Sequence, residues 1–208
     1  MLGPHFHKGD TTMARIDPLP VDDLPESAKP VLEFARASMG FTPNDVLTLA
    51  RWPELLDAMM PVVGVLFSPG AVSMELKRMV ALITSTASGC QYCVAHNAFG
   101  LTTEDIAAEK REAIWDYATN PLFSAQERAA LDFARAVGQS PNALTDAEYT
   151  ELERHFDERQ IMELAGVTCL FGFLNRWNST FQTPLEAGPL QTTQAMFGSS
   201  GWEPGEHA

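Results

Sequence analysis

The apolar residues of this chain recur at helical spacing along almost its whole length. The clearest stripe is Leu76, Met79, Val80, Ile83 and Ala87, which follows the i, i+3, i+4, i+7 and i+11 series. No window of five or more residues alternates cleanly between apolar and polar side chains, and no Asn-Gly or Asp-Gly pair marks a hairpin. This pattern predicts an all-α fold, a multi-helix bundle.

Composition divides the chain into three predicted parts. Residues 1–30 are rich in proline and acidic side chains, which favours an extended N-terminal arm that lies over the body or reaches a neighbouring subunit. Residues 31–186 carry the helical pattern and form the predicted domain, with a weak echo between two helical halves. Residues 187–208 are low in charge and rich in Gly, Ser, Thr and Gln, so we expect a C-terminal tail that is disordered or lies over a neighbour.

Charge and hydrophobicity exclude several functional classes. The chain has 208 residues, of which 45% are hydrophobic, and this suits a globular domain with a sizeable core. The formal net charge of −13 argues against a nucleic-acid or anionic-membrane partner, because both need a basic surface. No apolar run resembles a signal peptide or approaches the ~20 residues that span a bilayer. We therefore expect a soluble cytoplasmic protein, and the three cysteines fit that compartment.

The chemistry-bearing motif is Cys90, Cys93 and His96, which recur every three residues. On a helix this spacing advances about 300°, so the three side chains project from one stripe of surface. Gly89 predicts that the pair sits in the first turns of a helix, where free backbone N–H groups favour a thiolate. His96 can take a proton from the Cys93 thiol. The motif predicts a redox-active Cys-X-X-Cys pair that cycles between dithiol and disulfide.

Zinc binding is the alternative interpretation of the same motif, because two cysteines and one histidine are ordinary zinc ligands. A closed structural site needs a fourth ligand, and the other histidines are His5, His7, His155 and His207. Two of them precede the fold and one is next to the C-terminus, so we expect no metal. Cys169 lies in an apolar run without a basic neighbour, which is typical of a buried, inert thiol.

Two stretches, Glu75–Ser85 and Gly89–Asn97, resemble the alkylhydroperoxidase D and carboxymuconolactone decarboxylase family, particularly its peroxidase-related branch. Weaker likeness extends from Phe41–Asn44 to Asn175–Asn178 and Thr183–Leu185, and so covers most of the chain. The resemblance implies an all-helical fold that assembles as trimers, hexamers or related oligomers.

The resemblance also implies a division of roles in peroxide reduction. Cys93 attacks the peroxide and becomes a sulfenic acid, and Cys90 resolves it as an intramolecular disulfide. An external thiol donor then restores the dithiol, so no further cofactor is expected. The family's proton-relay histidine corresponds to His96. Tyr92, between the two cysteines, is a predicted substrate contact.

Arg78 is the main departure from the family pattern, since a glutamate commonly stands twelve residues before the first cysteine. If the two helices run antiparallel about the turn, Arg78 lies near His96. An arginine cannot accept the relay proton, but it can lower a thiol pKa or bind a substrate carboxylate. Glu75, one turn away, or Glu163 could replace the missing carboxylate. For Glu75 the competing interpretation is a surface pair with Arg78.

The leading hypothesis is therefore a thiol-dependent peroxidase with hydrogen peroxide or an organic hydroperoxide as its small-molecule substrate. The first alternative is a decarboxylase-like enzyme that acts on a small carboxylate or lactone, with Arg78 as the carboxylate clamp. The second is a redox- or zinc-sensing interaction protein.

Overall fold

Ten α-helices, joined by turns and short 3-10 helices, build the part of the chain that the computed structural model describes, residues 14–208. They are α1 (Lys29–Met39), α2 (Asn44–Leu49), α3 (Pro53–Leu66), α4 (Met74–Ser88), α5 (Gln91–Leu101), α6 (Ala108–Glu112), α7 (Ala125–Val137), α8 (Asp146–Glu153), α9 (Glu158–Phe181) and α10 (Ala187–Phe197). No strand occurs between residues 14 and 208, and the all-α prediction is confirmed.

The central element is α4, which packs against α5, α7 and α9. Its residues from Leu76 to Ser85 are buried except Arg78, because three partner helices cover the apolar stripe from different sides. The helix begins where the Ser73 hydroxyl accepts a hydrogen bond from the Leu76 N–H, at 3.3 Å. It ends at Gly89, whose φ of 77° is a left-handed conformation that glycine adopts without strain. The chain then reverses directly into α5.

A buried ion pair fixes α9 against the loop before α4. The Glu163 carboxylate lies 3.1 Å from Lys77 Nζ and also accepts hydrogen bonds from the N–H groups of Ala71 and Val72. Gly70 makes this approach possible, because a Cβ atom there would lie 2.4 Å from a Glu163 oxygen. Glu163 is therefore a structural carboxylate in the fold and does not reach His96, so that expectation was wrong.

The N-terminal arm is described from residue 14 onward. It runs through two short 3-10 helices, Val21–Asp23 and Glu26–Ala28. Leu24 and Ala28 are buried with residues of α2 and α3 in a second, smaller core. Within the described residues the arm thus lies on the body of the same chain. The first thirteen residues, including His5 and His7, lie outside the described part.

Residues 187–208 fold largely into helix, so the disordered alternative predicted for this tail was wrong, and its contact with a neighbour stays a prediction. Helix α10 packs on α5 and buries Thr193 and Phe197, and two 3-10 helices follow, Gly198–Ser200 and Gly205–His207. Local composition predicted otherwise because the segment has weak periodicity, and its helix gains stability from tertiary packing.

No helix in residues 14–208 combines the length and the hydrophobicity needed to cross a bilayer.

Candidate active site

The turn from α4 into α5 positions the cysteine pair. Cys90 is the extended N-cap residue of α5, with φ −85° and ψ 102°, and Cys93 lies in the first turn. Both side chains are buried and both sulfurs are unbonded thiols. The sulfurs lie within hydrogen-bonding reach of each other, and the Cys93 N–H also points at the Cys90 sulfur. The cysteine pair thus lies at the start of a helix, as Gly89 predicted.

The two thiols differ strongly in acidity. A hydrogen bond from the Cys93 thiol, assisted by the His207 imidazole, lowers the pKa of Cys90 to about 5 against the opposing effect of burial. Burial and the neighbouring Cys90 sulfur raise the pKa of Cys93 well above its ordinary value. At neutral pH the pair therefore holds one proton on Cys93 and one negative charge on Cys90.

His96 lies one turn beyond Cys93, and its partner is Glu186. The Nε2 atom of His96 is 2.6 Å from Glu186 Oε2. Burial alone would lower the pKa of His96, but the hydrogen bond and the charge of Glu186 outweigh it and raise that pKa. His96 is therefore charged more readily than a free histidine, which makes it a proton donor in the resting site.

Tyr92 holds the same carboxylate from a second direction. Its hydroxyl donates to Glu186 Oε1 at 3.0 Å, and it accepts from the Asp45 N–H at 3.0 Å. Its ring stacks on the His96 ring with centroids 4.3 Å apart. Glu186 also accepts a hydrogen bond from the Asn44 N–H. Tyr92 thus orients Glu186 and His96, besides lining the cavity described below.

Asp45 and Asn178 complete the polar surroundings of Cys93. Asn178, on α9, donates a hydrogen bond from Nδ2 to the Cys93 sulfur at 3.4 Å. Asn178 also hydrogen-bonds to Asp45, whose pKa is raised, chiefly by burial. Asp45 lies close enough to His96 for their charges to interact. A second titratable carboxyl group therefore lies beside the sulfur and the imidazole.

His207, near the end of the chain, lies against Cys90. Its ring is buried, its Nδ1 donates to the Thr183 carbonyl at 2.8 Å, and its centroid is 5.8 Å from that of Tyr92. The interaction with Cys90 raises the pKa of His207 even though burial opposes it. Two imidazoles, His96 and His207, thus lie close enough to Cys90 for their charges to interact with it.

An apolar cavity of about 330 Å³ opens beside Cys93 and His96. Its polar lining includes Asp45, Arg78 and Tyr92, and Cys90 is not part of the wall. Most of the remaining wall is aliphatic or aromatic and includes Met39, Val46, Leu49, Met59, Met60, Val63, Phe67, Phe99, Leu170, Phe171 and Leu174. Of the two cysteines, Cys93 is therefore the one that a small organic molecule in this cavity could contact.

Arg78 lines this cavity together with His96 and Cys93, as the antiparallel arrangement of α4 and α5 predicted. Its guanidinium lies 4.7 Å from the centroid of the Phe67 ring, and its Nε is 3.6 Å from Glu104 Oε1. A Cβ atom on Gly100 would lie 3.2 Å from the Arg78 side chain, so the glycine lets the arginine cross α5 closely.

Glu75 does not approach His96, so its predicted role in the relay was wrong. Its carboxylate pairs with Lys110 at 3.1 Å, and Lys110 also binds Glu127. Position 75 lies one helical turn before Arg78, on a side of α4 that faces α6 rather than the cavity. The expected surface pair between Glu75 and Arg78 is also absent, because Arg78 turns to Glu104.

The remaining candidate ligand and thiol are His155 and Cys169. His155 pairs with Glu151 on α8 at 3.2 Å. Within residues 14–208, no group of three or more His, Cys, Asp or Glu side chains could hold a metal ion. Cys169 is exposed rather than buried, because its side of α9 is not covered by another helix.

Sequence reasoning missed Glu186, Asp45, Asn178 and His207. Glu186 directly follows the resembling stretch Thr183–Leu185, which was its one available signal. Asn178 ends another weakly resembling stretch, Asn175–Asn178, which by itself predicts no role for it. His207 was set aside because of its position near the C-terminus.

Comparison with known proteins places this site in a family. Residues 53–136, which hold α3 to α7 and the cysteine pair, match the model of the carboxymuconolactone decarboxylase family. The chain is 32% identical to the uncharacterized protein YnjA of Escherichia coli over 97 residues, or 47% of this chain. That match spans 53% of YnjA, about half of its length.

Solved structures match over nearly the whole fold. The debrominase Bmp8 is 33% identical, with a TM-score of 0.81 over 86% of this chain and 96% of its own. A cysteine-to-alanine variant of Bmp8 in complex with 2,3,4-tribromopyrrole matches with 31% identity and a TM-score of 0.82, over 91% of this chain and 98% of the variant. A peroxidase-related protein with an alkylhydroperoxidase core from Ralstonia eutropha is 25% identical, with a TM-score of 0.73 over 84% and 94% of the two chains. The chain therefore belongs to the carboxymuconolactone decarboxylase family, of the alkylhydroperoxidase D-like type.

Proposed function

We propose that this protein is a thiol-dependent reductase that uses Cys90 and Cys93 to reduce a small apolar organic hydroperoxide. The observation that carries the proposal is the position of the Cys93 sulfur, at the wall of an apolar cavity beside the His96–Glu186 pair. A dithiol supplies the two electrons and an imidazolium supplies a proton.

In the proposed reaction, the Cys93 thiol passes its proton to the Cys90 thiolate and the Cys93 sulfur attacks the terminal peroxide oxygen. The O–O bond breaks, Cys93 becomes a sulfenic acid, and the His96 imidazolium protonates the departing alkoxide. Cys90 then attacks the Cys93 sulfur, and the Cys90 proton leaves with the hydroxide as water. The two sulfurs are oxidised to a disulfide while the hydroperoxide is reduced to an alcohol and water.

The cavity favours an organic hydroperoxide over hydrogen peroxide. Its wall is largely aliphatic and aromatic, and burying an apolar substituent there contributes binding energy that hydrogen peroxide cannot gain. An external thiol donor is then needed to reduce the disulfide after each turnover.

A second candidate is reductive dehalogenation of a small aromatic compound. It is favoured by the likeness to Bmp8, a debrominase that this chain matches over 96% of the length of Bmp8. Like peroxide reduction, this reaction takes two electrons from the dithiol. A carbon–bromine bond is replaced by a carbon–hydrogen bond, bromide is released, and the two cysteines form a disulfide. An apolar cavity beside a thiol suits this substrate as well as a hydroperoxide.

We also propose that the protein acts as a homo-oligomer. Val62 and Val65 on α3 and Met162 on α9 form an exposed apolar face, with 45%, 68% and 68% of their surfaces exposed. The α3–α9 face also includes the exposed Cys169. Members of this family commonly form oligomers, and a second copy would bury such a face.

The deciding experiment adds cumene hydroperoxide, hydrogen peroxide or 2,3,4-tribromopyrrole in turn to the fully reduced protein. Loss of two thiols per molecule, with formation of the alcohol, supports the peroxidase. Loss of two thiols with bromide release supports the dehalogenase. Both activities should vanish in Cys93→Ser, while Cys169→Ser serves as the matched control. Turnover of these compounds that survives replacement of both Cys90 and Cys93 would contradict both proposals.

A further inference from the structure

The 3-10 helix that ends at His207 packs against the loop that carries Glu186. The His207 backbone carbonyl accepts a hydrogen bond from the Leu185 N–H at 2.9 Å, and its Nδ1 donates to the Thr183 carbonyl at 2.8 Å. Both contacts dock the 3-10 helix Gly205–His207 onto the loop that also carries Glu186. One loop therefore orients both imidazoles of the site: Thr183 orients His207, and Glu186 orients His96.

Because Nδ1 is committed to Thr183, Nε2 is the ring nitrogen left for the Cys90 thiol. The Nε2 atom is buried and has no hydrogen-bond partner within the described residues. Its nearest carboxylate oxygen, Glu206 Oε1, is 3.7 Å away, which is beyond hydrogen-bonding distance. A buried polar nitrogen in this position needs a partner, and the Cys90 thiolate, whose interaction with the ring raises the pKa of His207 against the effect of burial, is the neighbouring group that can supply one.

We propose that His207 is a positioning residue that holds the Cys90 sulfur as a thiolate, so that Cys90 is the leaving sulfur when the disulfide is reduced. The inference deepens the proposed thiol chemistry and rests on it for its biological meaning. The remaining groups that face this pair are Cys93, Tyr92, His96 and Glu206.

The consequence concerns the external thiol donor. In thiol–disulfide exchange the sulfur with the lower pKa leaves faster. The donor thiolate therefore attacks Cys93, which lines the cavity, the S–S bond breaks, and Cys90 leaves as a thiolate beside the His207 imidazolium. A second donor thiol attacks the donor sulfur of the mixed disulfide and releases Cys93, which takes up a proton. Two donor thiols are oxidised for each disulfide reduced.

The first test measures the pKa of Cys90 without any turnover. In a Cys93→Ser, Cys169→Ser protein, the serine at position 93 keeps a hydroxyl donor and Cys90 is the lone cysteine. Its thiolate is followed by ultraviolet absorbance as the pH is raised. We expect His207→Gln to raise the pKa of Cys90 by about one unit or more, and the control His155→Gln to leave it unchanged. An unchanged pKa in a folded His207→Gln protein would overturn the inference.

The second test follows reduction of the disulfide by dithiothreitol, after oxidation of the otherwise native protein with diamide. We expect His207→Gln to slow this step by about threefold or more, with His155→Gln as the control. Equal rates in the two variants would contradict the leaving-sulfur role. Neither test uses a peroxide, so failure of the proposed peroxidase leaves both readouts interpretable.

A third measurement covers the case in which His207→Gln does not fold. Coupling between two titrating groups is reciprocal, so removing the Cys90 charge must lower the pKa of His207. Titration of the His207 ring by nuclear magnetic resonance in the reduced protein and in Cys90→Ser should show this fall. An unchanged His207 pKa would overturn the inference.

Discussion

Glu186 Oε2 lies 2.6 Å from His96 Nε2, although the two residues are separated by 90 positions in the chain. The contact brings a carboxylate from the start of α10 to His96, the last residue of the cysteine–histidine motif on α5. It also supplies a carboxylate beside His96, although Arg78 stands where the family resemblance predicts a glutamate. The carboxylate that charges the histidine comes from a different element.

Replacing Glu186 by glutamine should reduce turnover by about a hundredfold, because His96 then loses the charge that raises its pKa and becomes a poorer proton donor. The measurement is the initial rate of consumption of cumene hydroperoxide with saturating thiol donor. Glu75→Gln is the matched comparison, since Glu75 pairs with Lys110 instead. Equal loss in both variants, or no loss in Glu186→Gln, would remove Glu186 from the reaction.

The rate of peroxide reduction should depend on pH through two groups. Cys90 has its pKa lowered to about 5, so its thiolate is present above that pH and the rate should fall as the pH drops through about 5. Cys93, His207 and His96 are the titratable groups that face it.

On the alkaline side, the pKa of His96 is raised by Glu186, with Asp45 also nearby. Its proton is therefore kept above the ordinary histidine value of 6.5 and lost as the pH rises through the raised value. We expect a bell-shaped profile whose alkaline limb moves to lower pH in Glu186→Gln. An unmoved alkaline limb would assign it to another group.

Arg78 should decide the preference for acidic substrates. Its guanidinium lines the cavity and is only partly neutralised by Glu104 at 3.6 Å. Arg78→Gln should raise the KM for a carboxylate-bearing aromatic hydroperoxide by about tenfold and leave the KM for cumene hydroperoxide nearly unchanged. An equal change for both substrates would indicate that Arg78 shapes the cavity without binding a carboxylate.

Local patterns predicted the elements that carry their own signals. The stripe on α4 and the Gly89 ending follow from spacing and from glycine's left-handed conformation, and Cys90 at the helix start follows from both. The antiparallel reversal then predicted that Arg78 would share a cavity with His96.

Contacts between distant segments could not be predicted in the same way. His96 has a carboxylate partner because α10 docks on α5, and the periodicity of α10 is too weak to predict that helix. His207 reaches Cys90 only through the contacts of its segment with Thr183 and Leu185. The roles of such residues depend on tertiary packing, which the spacing of residues along the sequence does not predict.

The exposed face on α3 and α9 should mediate self-association. Replacing Val65 and Met162 together by aspartate places charge on this face. We expect light scattering to give the mass of an oligomer for the parent protein and a smaller mass for the double variant. The matched control is Leu122→Asp, which adds charge at an exposed apolar residue away from the face. A monomeric parent protein, or an oligomer that persists in the double variant, would contradict the assignment.

The buried Lys77–Glu163 pair should dominate the acid sensitivity of the fold. Backbone hydrogen bonds from Ala71, together with Lys77, lower the pKa of Glu163 to about 2 from a usual 4.5. Because the folded-state value lies below the unfolded one, the stabilisation is complete above about pH 4.5 and is lost as the pH falls towards 2.

Glu163→Gln leaves Lys77 charged and unpaired in the core, so it should lower the free energy of unfolding at neutral pH by about 3 kcal/mol. Glu151→Gln, which removes an exposed partner of Arg154, is the matched control and should leave the free energy of unfolding nearly unchanged. Urea unfolding at neutral pH and at pH near 3 measures both effects, and the gap between Glu163→Gln and the parent should narrow in acid. A gap that stays constant with pH would show that the stabilisation does not depend on the charge of Glu163.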